Sequence, residues 1–142
     1  MIRTLIRRKI VDIWNKRWMK GNDSRQTRLF FERIDLSKSQ KITKLDRTNI
    51  GRMIRAITGH DFRKRHEGLV RGVEASNCRF CEREEETSSH IINDCPRLAE
   101  KRMDTFKTSM GSKVTPNWKP EQLAAFLSDP SISEMEVPEW EY

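Results

Sequence analysis

Long apolar runs are absent from this chain. No stretch approaches the roughly 18 to 20 uncharged apolar residues of a membrane span, and the N-terminus lacks the compact apolar region and small-residue cleavage site of a signal peptide. An intracellular, soluble protein without a membrane partner is therefore expected. Strand-like alternation is equally missing, as is any internal repeat, which points to a mostly α chain. Apolar residues make up 35% of the 142 positions and charged residues another 35%. That is a lean supply for one domain of ordinary length, so the core must be small. Cysteine and histidine number only three each.

What is abundant is charge, and it is unevenly spread. Residues 1–72 hold 20 basic and 7 acidic side chains, whereas residues 73–142 hold 8 and 14. A basic half attracts phosphate backbones through counterion release, and an acidic half can repel nucleic acid or fold back on the basic part. The plainer reading of the same charges is a set of solvated helix faces.

Helical periodicity divides the chain. Residues 2–20 place Ile2, Leu5, Ile6, Ile10, Ile13, Trp14 and Trp18 at three- and four-residue steps, which predicts an amphipathic helix whose apolar face packs on the core. Residues 27–34 form an apolar cluster of undetermined state, and residues 37–44 read as an exposed basic connector. A second helix begins at an Asp46 N-cap, with Leu45 and Ile50 arranged as a hydrophobic staple, Ile50, Met53, Ile54 and Ile57 as its buried stripe and Gly59 as its stop. Arg47, Arg52 and Arg55 fall on its exposed side. Asp61 can cap another short helix that sends Phe62, Leu69 and Val70 inward and Arg63, Lys64 and Arg65 outward. Pro96 suits the start of a helix carrying Leu98, Met103, Phe106 and Met110 and ending at Gly111, and Pro120 starts a last short helix. From Asp129 onward, prolines and glutamates without periodicity predict an extended acidic tail. The boundaries expected are an N-terminal helix and connector (1–43), a helical core (44–111), and a short helix with tail (112–142).

All three cysteines fall in one stretch, as Cys78-x2-Cys81-x8-His90-x4-Cys95. Two thiols two residues apart can converge on one ion from a tight turn, and three thiolates with an imidazole suit tetrahedral zinc. Such a closed set leaves no position for water or substrate, which makes Zn2+ structural and argues against an enzyme. Thr87 or Ser88 can cap a short helix with His90 in its first turn and Cys95 at its end. Three other readings stand beside this one: buried free cysteines acting as small apolar residues, a redox-active Cys78–Cys81 disulfide, and a site in which His60 or His66 replaces His90.

The order ITGHDFRKRH (57–66) then CRFCEREEETSSHIINDCPRLAEKR (78–102) resembles the region downstream of the reverse transcriptase in non-LTR retrotransposon polyproteins. The likeness spans about residues 45–103 and implies that Cys78, Cys81, His90 and Cys95 ligate zinc in a CCHC knuckle, with Thr58, Gly59 and His60 forming a turn beside it. It also implies nucleic-acid handling. The x8 interval departs from the x4 interval of retroviral nucleocapsid knuckles, so a different binding surface is expected. Polymerase and ribonuclease H carboxylates are missing, and the single tyrosine is Tyr142. The chain is thus expected to be a fragment or domesticated remnant.

These readings converge on a non-catalytic module, mostly α and stapled by zinc. RNA or DNA backbone would be bound by Arg52, Arg55, Arg63, Lys64, Arg65 and Arg71, with Phe80 stacking on a base or covering the knuckle. The alternative is a zinc-stapled protein-interaction subunit of a ribonucleoprotein assembly, docked through helix 2–20 and the Trp140/Tyr142 tail. Neither reading involves a small-molecule substrate.

Overall fold

Local capping rules set most of the helix boundaries. The computed structural model describes residues 1–60, 72 and 77–133. Helices α1 (Ile2–Lys20), α2 (Arg25–Phe30), α3 (Leu36–Ile42) and α4 (Arg47–Thr58) come first. A π-helical turn (His90–Asp94) and a 3-10 turn (Pro96–Leu98) follow, leading into α5 (Ala99–Phe106), α6 (Pro120–Ser128) and α7 (Pro130–Ser133). Among the described residues there is no strand, only an isolated bridge between Asn77 and Glu85, so the protein is mostly helical. No described helix is long and apolar enough to cross a membrane.

Asp46 caps α4 as expected, its Oδ1 accepting the Asn49 N–H at 3.0 Å. Gly59 ends that helix at φ 75°, a conformation open to glycine because it has no Cβ to clash. The buried stripe of α4 is Met53, Ala56 and Ile57, while Ile54, expected inside, is half exposed at 50%. Small Ala56 takes the inward position, which lets α6 approach closely.

The core is assembled around α6, which buries Leu123, Ala124, Phe126 and Leu127. It packs against α4, α5, α3 and α7. Trp118, just before α6, is buried and donates its indole N–H to the Phe30 carbonyl at 2.8 Å. Its ring meets Phe30 and Phe31 edge-on, with centroids 5.9 and 5.4 Å away, the arrangement that the ring quadrupole favours. The loop ahead of Trp118 is held by Asn93, whose Oδ1 accepts from Val114 N, Thr115 N and Thr115 Oγ1 at 3.0, 3.1 and 3.3 Å. One buried amide thereby ties the π-helical turn to the aromatic cluster.

Four sequence expectations change. First, the apolar face of α1 does not pack on the core: α1 has no buried residue, and Ile2, Leu5, Ile6, Ile10, Ile13 and Trp14 are exposed. The helix is held near its C-terminal end instead. Asn15 accepts the Ile34 N–H at 2.7 Å and Trp18 donates to the Phe31 carbonyl at 2.9 Å. Val11, Asn15 and Trp18 lie on one side of the cylinder, and Ile2, Ile6 and Ile13 lie round the other side. The Arg28 guanidinium stacks on Trp18, 4.0 Å from the ring centroid, and donates to the Trp18 carbonyl.

Second, residues 37–44 are not a connector, because α3 occupies most of them. Asp35 caps α3, accepting the Lys38 N–H at 2.8 Å, and Lys38 lies over the Trp118 ring at 4.4 Å while donating to the Pro116 carbonyl. Desolvation by burial lowers the Lys38 pKa, against the opposing charge of Asp35. Asp35→Ala is expected to cost about 1 kcal/mol in chemical denaturation, whereas an unstructured connector would tolerate it without loss.

Third, the helix after Pro96 stops at Phe106, where Lys107 turns left-handed at φ 55°, and Met110 is left 79% exposed. The inward residues of this segment are Leu98, Arg102 and Phe106, a strict i, i+4, i+8 ladder that makes an arginine, not Met103, the middle rung. Fourth, the tail expected to be extended from Asp129 onward starts as a helix, because Pro130–Ser133 form α7 and send Ile132 into the core. The expected helix after Asp61 and the remainder of the tail, from residue 134, lie outside the described residues.

Candidate metal centre

The Cys-x2-Cys turn is built by its own backbone. Cys78 N–H donates to the Glu84 carbonyl at 2.6 Å, and Glu82 N–H returns to the Cys78 carbonyl at 2.7 Å. Glu82 adopts a left-handed φ of 57°, which closes the turn and aims both sulfurs the same way. Asn77 adds a side-chain bond to the Glu82 carbonyl at 3.0 Å.

The other two donors come from the next turn. Thr87 Oγ1 accepts the His90 N–H at 3.0 Å, so Thr87 rather than Ser88 is the cap. The turn is wider than an α-helix, with Cys95 N–H bonded to the His90 carbonyl at 2.7 Å. Hence His90 and Cys95 stand at the two ends of a single π turn, and Pro96 starts the next one.

Cys78, Cys81, His90 and Cys95 place their four donor atoms within 4.8 Å of one another. Cys78 Sγ lies 3.9 Å from Cys95 Sγ, and Cys81 Sγ lies 3.3 Å from His90 Nε2. Zn–S bonds of about 2.3 Å in a tetrahedron require sulfur–sulfur edges of about 3.8 Å, and a Zn–N bond shortens the mixed edges. The donor set is thus already at metal-binding spacing. All three cysteines are free thiols in the structure, and His60 is exposed and outside the cluster. His66 lies outside the described residues.

The thiols are not equivalent. Backbone N–H bonding from Arg83, aided by Glu84 N–H and the His90 ring, holds Cys81 down to about 6. Burial pushes Cys95 up to about 12. Cys81 is therefore a ready thiolate, whereas Cys95 becomes a ligand only when a cation replaces its proton.

Several contributing residues carried no sequence signal. Glu84 Oε2 sits 3.2 Å from His90 Nδ1, off the ideal hydrogen-bond axis. It favours the tautomer that leaves Nε2, the nitrogen facing Cys81, as the donor. Glu86 is fully buried, accepting the Arg79 N–H at 2.9 Å with the Arg79 guanidinium 3.8 Å away. Arg79 also donates to the Ile132 carbonyl at 2.6 Å, fastening the cysteine turn to α7. In sequence, Glu84 and Glu86 are indistinguishable members of one acidic run.

The expected nucleic-acid residues are only partly within the described structure. Arg52 and Arg55 are half-buried on α4. Arg63, Lys64, Arg65 and Arg71 lie outside the described residues. Phe80 is half-buried against the core, and the Arg79 guanidinium stacks on it at 4.8 Å. No family model, curated protein or solved structure matches the chain.

Proposed function

We propose that Cys78, Cys81, His90 and Cys95 hold a structural Zn2+ and that the chain is a non-catalytic nucleic-acid-binding module, a fragment or domesticated remnant of a non-LTR retrotransposon polyprotein. The observation that carries the metal assignment is the convergence of four donors within 4.8 Å from two separately built turns. Three sulfurs and one imidazole favour zinc over the hard, oxygen-seeking cations. Four protein ligands fill a tetrahedral shell, so the ion would stabilise and not catalyse. The order of the motifs around the cluster supports the retrotransposon origin.

Charge supports the nucleic-acid role. Residues 1–72 hold 20 of the 28 basic side chains, and on exposed α1 the only acid among its lysines and arginines is Asp12. Contacts of this kind are mainly to phosphate, so they bind RNA or DNA with little sequence preference. Purified monomer is expected to contain one zinc per chain and to retard both nucleic acids in a gel. With six phosphate contacts, affinity should fall roughly a thousandfold between about 50 and 200 mM salt. Binding that ignores salt overturns the phosphate reading.

The exposed apolar residues of α1 favour a second reading, a protein-interaction subunit in which zinc only holds the fold. A zinc-loaded monomer that fails to retard RNA or DNA at near-physiological salt would establish it over the first.

A further inference from the structure

Arg102 is a buried cation without a carboxylate. It is 6% exposed, and no ion pair joins it to an acid among the described residues. Its guanidinium donates to two carbonyls, Cys95 at 2.6 Å and Ile91 at 3.4 Å, both on the turn that carries His90 and Cys95. Carbonyls satisfy the N–H groups but leave the charge uncompensated, and a buried charge is costly unless an anion faces it. Burial lowers the Arg102 pKa. Asp94 is exposed and stands 3.6 Å from Lys113.

The metal cluster has the opposite imbalance. Three thiolates around a divalent ion carry one net negative charge, and Cys78, Cys95 and His90 are all buried. Among the described residues, the basic side chains of the same segments do not answer it: Arg79 faces buried Glu86, and Arg83 and Arg97 are exposed. We infer that Arg102 is the counter-cation of the metal cluster, a positioning residue that makes a three-thiolate site tolerable in the core and biases it toward a divalent metal. This rests on the metal reading above, which it deepens by explaining an arginine in the middle of an apolar helix face.

The test uses the full chain with Co2+ as a spectroscopic probe and Zn2+ in competition. Wild type, Arg102→Met, Arg102→Lys, Cys81→His and the double variant Arg102→Met/Cys81→His are compared. Methionine keeps length without charge, lysine keeps charge without the fork, and the half-buried Cys81→His change turns the cluster into a neutral two-thiolate, two-imidazole set. Arg102→Met is expected to weaken metal binding tenfold or more and to speed alkylation of the metal-bound thiolates. Arg102→Lys should restore most of the affinity.

In the charge-balanced double variant, the loss should be much smaller than the two single losses combined. Should Arg102→Met not fold even with excess metal, the double variant is expected to regain metal-dependent folding. Metal affinity of Arg102→Met within about threefold of wild type overturns the counter-cation role while leaving the metal site standing. Failure of both lysine and the double variant to rescue also overturns it, in favour of the carbonyl bonds alone. Wild type that takes up no Co2+ overturns both readings together.

Discussion

Stripping the metal is expected to unfold most of the protein. Cys78, Cys95, Ile91 and Ile92 are completely buried, so the donor turns are part of the core, not an appendage to it. Structural zinc contributes roughly 10 to 16 kcal/mol of apparent binding free energy at neutral pH, against a net stability of about 5 to 15 kcal/mol for a typical domain. Loss of the proposed ion would return a proton to Cys95 and release the π turn. Asn93 on that turn then lets go of Val114 and Thr115, and with them the approach to Trp118. A chelator should abolish the near-ultraviolet circular dichroism of the aromatic cluster and most of the cooperative thermal transition, and readdition of Zn2+ should restore both. Cys95→Ser should behave like the chelated protein. Unchanged spectra after chelation, with no zinc by elemental analysis, would return the cysteines to the role of small buried apolar residues.

The second large effect lies at the opposite end of the core. Trp118→Ala removes a buried indole, two edge-on aromatic contacts and the partner of the Phe30 carbonyl, at a cost of about 3 to 5 kcal/mol. Trp14→Ala, at a half-exposed position of α1, is expected to cost far less, no more than about 1 kcal/mol. Guanidinium denaturation of the zinc-loaded chain measures both, with the transition slope unchanged. Equal costs for the two tryptophans would refute the arrangement in which α2, α3 and α6 meet at Trp118 while α1 stands clear. The contrast is informative because Trp14 lies within a periodic apolar pattern whereas Trp118 lies in a loop that has none.

That contrast also explains where sequence reasoning succeeded. Asp46, Gly59, Thr87, Pro96 and Pro120 act through bonds or dihedral limits within a few residues, so their roles are legible from neighbours alone. The four donors were legible for the same reason, since two pairs at short spacing need only two local turns to form them. Asp35 is the exception among caps, because the basic residues after it resembled an exposed connector and hid a short helix that packs against α6 and Trp118.

What the sequence by itself determined is therefore helical class, the bounds of α1 and α4, the start of α6, and the identity of the four candidate ligands, each a matter of local geometry or side-chain chemistry. Only the tertiary structure decided which apolar faces find a partner: α1 displays its isoleucines, Ile54 turns outward, and Arg102 takes an inward rung between Leu98 and Phe106. Periodicity records that a face exists but not what lies opposite it. Arg102 becomes a core residue because the preceding turn brings the Ile91 and Cys95 carbonyls to its guanidinium, and where that turn sits is settled by packing across the fold.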